Sequence, residues 1–365
     1  MVYPYDGNAS RQAAQWGADT GVAPVGRLAH NMPTSDVPMH PPTSANGKIP
    51  PPARGHIVIT GASTGIGRSC ALQLAWNGFT VWAGIRTAAE ANALEHAALG
   101  TPVPIRTIPL DVTDIESVRT AADTIRSAAG NDGLRGLVNN AGVCVVGPVE
   151  CIPLDDWRHQ FEVNLLGAIA VTQVMLPLLR VHAAGRVPPG ARIINMGSIS
   201  GEVSTPVFGA YSASKFALRA MTDALRLELR RDGIQVSLIV PGAIQSDIWR
   251  KEKEEMAAMA ADSRVRRLYG SLIDTVAANV FRHADHALPA ERVADLVEQC
   301  LTSPNPRIQY RVGWEAQVGA RAKRLMPDRL FDFLLRRSLG VSRTRGTRSL
   351  REPPPTGAGS GVAAV

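Results

Sequence analysis

Short apolar runs rich in β-branched residues alternate along this chain with longer segments in which apolar residues recur every three or four positions. The first pattern predicts strands and the second predicts amphipathic helices. The predicted strands read HIVIT, TVWAGI, PIRTIPLDV, LRGLVNNAG, ARIINMGS and IQVSLIVPG. Five helices are predicted between them, and the two long ones cover 154–181 and 211–231. This alternation predicts an α/β fold, a doubly wound parallel β-sheet with helices on both faces.

The two ends of the chain lack this periodicity. Residues 1–54 contain Pro, Gly, Ser and Asn without a sustained period, and residues 343–365 form a basic, Pro-rich tail. We expect both segments to be disordered. One folded domain is expected over 55–312, followed by a C-terminal helical extension over 313–342.

Composition and charge narrow the class of protein. A chain of 365 residues with 45% hydrophobic residues is long and apolar enough to bury a core. The net charge is +7, but much of the excess lies in the terminal SRTRGTRSLR, and no base-reading module is present. We therefore expect no nucleic-acid partner. The N-terminus lacks the pattern of a secretion signal, and no uninterrupted apolar stretch reaches transmembrane length, so a cytoplasmic location is expected.

Cysteine and histidine patterns do not predict a metal centre. The four cysteines are scattered without a CxxC pair, which favours free thiols in a reducing compartment. The segment HADH, residues 283–286, has no further ligand nearby in the sequence. No metal site is predicted.

Glycine and polar residues follow the predicted strands, where ligands bind in parallel sheets. TGASTGIG, residues 60–67, follows the first strand and opens the first helix. The turn comprises Gly61, Ser63, Thr64, Gly65, Ile66 and Gly67. Its glycines let the backbone turn tightly and approach a pyrophosphate above the helix N-terminus. The spacing is GxxxGxG rather than GxGxxG, but its place in a βαβ unit predicts a dinucleotide site.

The end of the second strand bears on the choice of nucleotide. An acidic residue there would bind a ribose 2′-hydroxyl, whereas an arginine would pair with a 2′-phosphate. Arg86 occupies this place and no acid is near. NADP(H) is therefore favoured over NAD(H), with a solvated surface arginine as the alternative.

Tyr211 and Lys215 lie four positions apart in GAYSASKFAL, at the start of a predicted helix. Residues at this spacing share one helix face. A lysine there favours the tyrosinate and brings the phenol into a range useful for proton transfer. The same spacing also occurs in surface pairs on ordinary helices. Other motifs in the chain are therefore needed to distinguish a proton-transfer pair from a surface pair.

Several motifs together resemble the short-chain dehydrogenase/reductase family, in its compact single-domain branch. They occur in the family's order, over residues 55 to 312: TGASTGIG, Asp111-Val112, NNAG at 139–142, Asn164, Ser198, YSASK at 211–215, and Pro241-Gly242. The resemblance implies a Rossmann fold and an NAD(P)-dependent oxidoreductase that interconverts alcohols and ketones.

The resemblance also implies roles for individual residues. Tyr211 would be the general acid/base, Lys215 would lower its pKa and hold the nicotinamide ribose, and Ser198 would stabilise the reacting oxygen. Asn164 would help to hold a water between the lysine and solvent. Cofactor contacts are implied for Asp111, Val112, Asn139, Ala141, Gly142, Pro241, Gly242, Ile244 and Ser246. Asp111 and Asn164 have alternative structural roles, as a helix cap and as a loop anchor.

The substrate is expected to be a bulky, apolar alcohol or ketone: steroid-, retinoid- or polyketide-like. The extension after residue 305 and the segment WAGIR are similar to the retinol and hydroxysteroid dehydrogenase-like branch. The family places a lid over the substrate at about 245–285. Predicted wall residues are Val143, Val145, Val207, Phe208, Trp249 and Met256, together with Ser198.

Other functions and partners stay open on the sequence. A 3-oxoacyl thioester reductase shares the same motifs, and a nucleotide sensor without turnover is the alternative outside enzymes. The resemblance implies a homodimer or homotetramer through the two long helices. The C-terminal helices, with apolar residues beside Arg336-Arg337, could lie on an anionic membrane, but packing against protein is favoured.

Overall fold

The computed structural model describes residues 54–184, 190–245, 254, 256–259, 261–284 and 287–339. Apart from Arg54, the two segments predicted to be disordered lie outside this range. Of the predicted lid at about 245–285, the described residues are 245, 254, 256–259 and 261–284.

Within the described residues, seven parallel strands form one sheet, which confirms the predicted fold class. Their order is β3-β2-β1-β4-β5-β6-β7, so the chain reverses direction across the sheet between β1 and β4. The strands are β1 (His56–Ile59), β2 (Thr80–Ile85), β3 (Arg106–Pro109), β4 (Leu134–Asn139), β5 (Arg192–Met196), β6 (Gln235–Pro241) and β7 (Gln309–Val312). Ligands bind at such a reversal point, outside the carboxyl ends of the strands.

Helices connect these strands and continue beyond the last one. Those within the described residues are α1 (Gly65–Trp76), α2 (Ala88–Ala97), α3 (Ile115–Ala129), α4 (Leu154–Phe161), α5 (Gly167–Ala183), α6 (Gly209–Glu228), α7 (Ser263–Ala284), α8 (Glu291–Thr302), α9 (Trp314–Leu325) and α10 (Asp328–Ser338). The last two helices form the C-terminal extension.

The core has two apolar layers, one on each face of the sheet. Alternation along β1 illustrates the division: Ile57 and Ile59 point into one layer, and Val58 points into the other. The first layer packs the sheet against α1 and α8, and the second packs it against α3 and α5. A sheet covered on both faces explains why its strands read as continuous apolar runs.

The helix predicted over 154–181 is continuous from Leu154 to Ala183 but contains a π-helical turn at Glu162–Leu166. By length and composition alone this helix could cross a membrane. Its apolar stretch is broken by Asn164 and Thr172, which are both buried in the domain. The helix packs on β4 and α3, so its apolar composition is that of a helix in the core of the domain.

Cys70, Cys144 and Cys300 are buried free thiols, and Cys151 is half-buried. Burial raises the pKa of Cys70 to about 12 and that of Cys300 to about 11. Among the described residues, no group of three or more His, Cys, Asp or Glu side chains is placed to hold a metal ion. Asp285 and His286 lie outside the described residues.

A buried arginine joins the sheet to α8. Arg192, the first residue of β5, is 1% exposed. Its guanidinium donates to the carbonyls of Cys300 (3.1 Å) and Ser303 (2.9 Å) at the end of α8, and to that of Gly190 (2.8 Å). A cation is favourable at a helix C-terminus, where the last carbonyls lack partners within the helix. Burial and the neighbouring Arg135 lower the pKa of Arg192 to about 10.

We predict that Arg192→Met lowers the free energy of unfolding by about 3 kcal/mol, because it removes the donors of several buried carbonyls. Urea denaturation followed by circular dichroism measures this loss. Arg119→Met is the control, since Arg119 forms only an exposed pair with Glu116 and should change stability by less than about 0.5 kcal/mol. Equal stability of the two variants would contradict this role of Arg192.

Candidate active site

The glycine turn between β1 and α1 is shaped by close backbone approaches. Gly61 has a φ of 62°, and a Cβ there would lie 2.8 Å from the Cα of Ala141. A Cβ on Gly67 would lie 2.2 Å from the carbonyl oxygen of Gly61. Larger residues would therefore force the turn away from β4 and distort the start of α1.

Two side chains that the sequence analysis did not single out join this turn to the NNAG segment after β4. The Thr60 hydroxyl accepts hydrogen bonds from the backbone amides of Asn140 and Ala141, both at 3.0 Å. The Asn140 side chain donates to the carbonyls of Thr60 (3.0 Å) and Gly61 (2.9 Å). The motifs TGASTGIG and NNAG thus form one unit, and the positions of Thr60 and Asn140 inside them were the available signal.

Asn139, for which a cofactor contact is predicted, has a buried side chain. Its side chain is 4% exposed and donates to the side chains of Thr172 (2.9 Å) and Asn195 (2.8 Å). Asn195 in turn donates to Thr222 on α6 (2.9 Å). Asn139 belongs to a buried polar chain that runs along one face of the sheet, from Thr172 on α5 to Thr222 on α6.

Asn164 sits in the π-helical turn and anchors the loop after β4. Its amide accepts from the backbone N–H of Val143 (2.8 Å) and donates to the carbonyl of the same residue (2.9 Å). Such turns inside α-helices are frequently found at functional sites. Gln160, which is fully buried, continues this anchor: it accepts from the Val145 N–H (2.6 Å) and donates to the Val143 carbonyl (2.8 Å). The sequence analysis missed Gln160, because a glutamine on a predicted helix carries no motif.

Lys215 is buried beside Tyr211. Its side-chain nitrogen donates to the carbonyl of Met196 at the end of β5 (2.9 Å) and lies 5.8 Å from the centre of the Tyr211 ring. Burial lowers the pKa of Lys215 to about 8, with a smaller opposing effect from Cys144. A Cβ on Gly142 would lie 3.6 Å from the lysine nitrogen and 3.3 Å from Asn164 Oδ1. The lysine, Asn164 and Gly142 therefore face the same small space.

Ser198 follows β5 and begins a 3₁₀ turn at Ile199–Gly201. Its hydroxyl accepts a hydrogen bond from the backbone N–H of Ser200 (3.1 Å). The turn packs on α6 at Lys215, since a Cβ on Gly201 would lie 2.9 Å from the Lys215 carbonyl oxygen. Ser198 is thus held on the same side of the site as Lys215.

A third apolar cluster lies against Tyr211. It includes the predicted wall residues Val207, Phe208 and Met256. Its other members, Cys144, Val146, Val265, Ile273 and Val276, come from the loop after β4 and from α7. The predicted wall residues Val143 and Val145 flank Cys144 and are half-buried.

Val207 has a φ of 74°, which is costly for a β-branched residue. Its carbonyl accepts a 2.6 Å hydrogen bond from the Gly147 N–H. Strained residues of this kind concentrate at functional sites, where the surrounding structure holds them. This one lies four residues before Tyr211, in the cluster that packs against it.

Similarity to known proteins shows the family of this chain. A family model for the short chain dehydrogenases matches residues 55–257. The chain belongs to the short-chain dehydrogenase family.

Several characterised relatives cover most of this chain. It is 34% identical to mouse retinol dehydrogenase 5 over 78% of this chain and 89% of the relative. It is 35% identical to bovine 17-beta-hydroxysteroid dehydrogenase type 6, over 77% and 88%. It is 32% identical to the NADPH-dependent 3-dehydrocapnine reductase of Ornithobacterium rhinotracheale, over 78% and 97%.

Solved structures agree on the fold. A short-chain dehydrogenase from Streptomyces avermitilis superimposes with a TM-score of 0.61, at 23% identity, over 79% of this chain and all of the other. Levodione reductase gives the same TM-score at 19% identity, over 73% and 99%. At these identities the likeness concerns the fold alone. The sequence relatives carry the function: this short-chain dehydrogenase is an NAD(P)-dependent oxidoreductase of alcohol and ketone groups with a small-molecule substrate.

The glycine turn of this short-chain dehydrogenase fits the phosphates of a nicotinamide dinucleotide. Thr64 precedes α1 without capping it through its side chain, and the first turn of α1 has no acidic residue. The first backbone N–H groups of α1 are therefore free of a side-chain cap and suit an anion. The missing Cβ atoms of the glycines leave room for a close approach. Ser63, Thr64, Gly65 and Ile66 would hold the phosphates.

The remaining predicted cofactor residues lie along the same edge of the sheet. Arg86 follows β2 directly and is exposed. Asp111 follows β3, and its carboxylate accepts from the backbone N–H (2.9 Å) and the hydroxyl (2.7 Å) of Thr113. Val112 packs under Gly167 at the start of α5. The Asp111 side chain thus forms a local turn, while the N-cap of α3 is Asp114.

The segment after β6 is held by backbone pairing. Pro241 ends β6, and the Gly242 N–H donates to the Val312 carbonyl (2.9 Å). Ile244 is buried and pairs with Leu288 beyond the lid. Ser246 and Trp249, predicted to contact cofactor and substrate, lie outside the described residues.

We predict that Lys215→Met is more stable than the parent protein at pH 7, and that the difference shrinks as pH rises. The folded pKa of about 8 lies below the ordinary 10.5, so the penalty of burying the ammonium is complete below pH 8 and fades between pH 8 and 10.5. The change across this window is about 3 kcal/mol, at about 1.4 kcal/mol for each pKa unit. Urea unfolding of both nucleotide-free proteins at pH 7 and 10 measures it. A pH-independent difference would contradict the burial of a charged Lys215.

Proposed function

We propose that this short-chain dehydrogenase prefers NADP(H) and acts on a bulky, apolar alcohol or ketone that is steroid-, retinoid- or polyketide-like. The observation that carries the proposal is the apolar cluster against Tyr211. Tyr211 packs against this cluster, whose buried members include valine, phenylalanine and methionine side chains. The names of the relatives, a retinol dehydrogenase and a hydroxysteroid dehydrogenase, support this substrate class.

The proposed chemistry rests on proton transfer at Tyr211. In the direction of reduction, its phenol gives a proton to the carbonyl oxygen; in oxidation, the phenolate takes one from the alcohol. Because pH 7 lies below the Lys215 pKa of about 8, the buried lysine carries its positive charge at that pH. This charge beside the Tyr211 ring favours the phenolate. When bound, the nicotinamide supplies or accepts the hydride.

Ser198 and Asn164 have supporting roles in this proposal. The Ser198 hydroxyl donates to the reacting oxygen and stabilises the negative charge that develops there. Asn164 faces the small space beside the Lys215 nitrogen, where we propose that a water links the lysine to solvent. The two hydrogen bonds of Asn164 to Val143 fix the edge of this space.

The NADP(H) preference rests on Arg86. This exposed guanidinium lies at the carboxyl end of β2, beside the strand that leads into the glycine turn. The nearest acid of the following helix, Glu90, is bonded to Thr87. A charge-assisted pair between Arg86 and a 2′-phosphate is therefore possible without a competing carboxylate. The NADPH dependence named for the Ornithobacterium relative supports the same preference.

We also propose a homodimer or homotetramer through the long helices Leu154–Ala183 and Gly209–Glu228. Apolar side chains on these helices are exposed in the monomer, namely Leu154, Leu166, Val181, Phe216 and Leu227. The helices α9 and α10 also expose apolar residues, including Trp314, Leu325 and Phe333, for which we favour contact with protein over a membrane surface. A cytoplasmic location is part of the proposal.

We predict that the purified protein oxidises NADPH in the presence of steroid, retinoid or polyketide-like ketones, and that Tyr211→Phe lowers kcat at least 100-fold, since general acid catalysis contributes about 10²- to 10⁴-fold. Absorbance at the nicotinamide band measures turnover. Arg119→Met, on the exposed face of α3, is the control and should keep full activity.

The alternatives predict other outcomes of this assay. Preferred turnover of acyl-thioester carbonyls would replace the proposed substrate by that of a 3-oxoacyl thioester reductase. Turnover that persists in Tyr211→Phe would reject the proposed acid/base. Turnover only of short polar ketones would reject the apolar substrate.

We predict that Arg86→Asp lowers kcat/KM for NADPH about 10- to 100-fold, because a charge-assisted hydrogen bond contributes about 1.5–3 kcal/mol. The value for NADH should stay level or rise. Initial rates at varied nucleotide give both numbers, with Arg119→Asp as the surface control of equal charge change. A parallel loss with both nucleotides would contradict recognition of the 2′-phosphate.

A further inference from the structure

A second constellation of charged side chains lies directly behind the Ser198 segment. Glu202 ends the 3₁₀ turn after Ser198, and its side chain is 3% exposed. The carboxylate accepts hydrogen bonds from Arg219 (3.0 Å), Gln309 (2.5 Å) and Arg311 (2.8 and 2.9 Å). Both oxygens are used, and Arg311 binds them in the bidentate way that gives such pairs a defined geometry.

These partners come from two different elements. Arg219 lies on α6, one helical turn after Lys215. Gln309 and Arg311 lie on β7, the strand that leads into the C-terminal helices. Glu202 therefore ties the Ser198 segment to the helix of the acid/base pair and to the edge of the sheet.

The Ser198 segment is also packed from two sides. Gly201 contacts the Lys215 backbone, as described above. On the other side, a Cβ on Gly319 of α9 would lie 3.6 Å from Ile199 and 3.8 Å from Val203. The segment lies between α6 and α9, and the hydrogen bonds of the Glu202 carboxylate prevent it from shifting between these two helices.

A purely stabilising role explains this network less well. Burial opposes ionisation of Glu202, but the hydrogen bonds from Arg311 and Gln309 outweigh it and hold its pKa below the ordinary value. Buried ion pairs are weak contributors to stability, since desolvation offsets their attraction. The side chains of Arg219 and Arg311 are 38% and 33% exposed, so both can turn to water if the carboxylate is lost. Loss of the network should therefore release the segment more than it unfolds the domain.

We propose that Glu202 is a positioning residue that acts through Ser198. Its hydrogen bonds tie the Ser198 segment to α6 and β7, and so hold the serine hydroxyl in position relative to Tyr211. This inference rests on the proposed role of Ser198 at the reacting oxygen. A displacement of about 1 Å at a reacting group can reduce the rate by about 10²-fold.

The test is Glu202→Gln, which keeps the shape but not the charge and leaves two arginines without a full acceptor. We expect kcat to fall at least 10-fold, while the dissociation constant for the nucleotide changes less than twofold. Amide hydrogen exchange over residues 198–203 should become faster, with exchange in β4 unchanged. Arg311→Met should reproduce these effects, and Arg311→Lys should restore part of the rate.

Two comparisons separate positioning from stability. In a Ser198→Ala background, Glu202→Gln should cause no further loss of kcat, because the group through which it acts is already gone. Arg192→Met, which removes a buried charge far from Ser198, should lower stability without a comparable loss of kcat.

Several results would overturn the inference. They are an unchanged kcat in Glu202→Gln, unchanged exchange over 198–203, or an equal loss of kcat in the Ser198→Ala background. Failure of the proposed function is distinguishable, since it would appear as turnover that persists in Tyr211→Phe. An inactive Tyr211→Phe with a fully active Glu202→Gln would reject the role of Glu202 alone.

Discussion

The burial of one ammonium group is the constraint on which the rest of this site depends. Lys215 is 5% exposed, and an isolated charge at that depth is unfavourable. The Met196 carbonyl offsets part of the cost, and glycines at 142 and 201 leave room for the side chain and for its backbone. The end of β5, the start of α6 and the loop after β4 must therefore meet at one point. Tyr211 and Ser198 occupy the two elements that meet there, so their positions follow from the placement of the lysine.

The loops at this point are positioned by polar side chains from within the fold. Thr60 and Asn140 join the glycine turn to the segment after β4. The side chains of Asn164 and Gln160 then accept hydrogen bonds from the backbone of Val143 and Val145, which follow that segment. These are hydrogen bonds of buried amides and hydroxyls, which are costly to leave unpaired. A loop held in this way has few alternative conformations. The loops at this edge of the sheet are thus fixed by hydrogen bonds, while the apolar cluster near the predicted lid includes Met256 and Met259, whose side chains are adaptable.

Much of the fold was predictable because its signals are local. Apolar runs such as HIVIT and TVWAGI predicted the strands, and the glycine turn predicted the start of α1 with its open N-terminus. Gln160 and Glu202 could not be found this way. Each acts through partners distant in the chain, as Glu202 does with Arg311, and neither spacing nor periodicity reports such contacts. Asn139 illustrates the opposite case: its motif was evident, but only the structure places its side chain in the polar chain between α5 and α6. Val207 was predicted as a wall residue, but its strained backbone needed the structure, because a positive φ at valine has no sequence signature.

The residues proposed for the chemistry and those proposed for substrate choice lie in different parts of the chain. The family model ends at residue 257, and it contains Tyr211, Lys215, Ser198 and the glycine turn. The apolar cluster against Tyr211 continues beyond it, to Val276 on α7. Asn279 on that helix donates to the Leu339 carbonyl at the end of α10 (3.0 Å), and α9 packs on the Ser198 segment. The C-terminal helices therefore contact both the predicted lid and the Ser198 segment. Under the proposed function, we expect a change in their packing to alter the proposed substrate wall and the position of Ser198 together. The substrate class can then diverge through residues 258–339 while Tyr211 and Lys215 stay as they are.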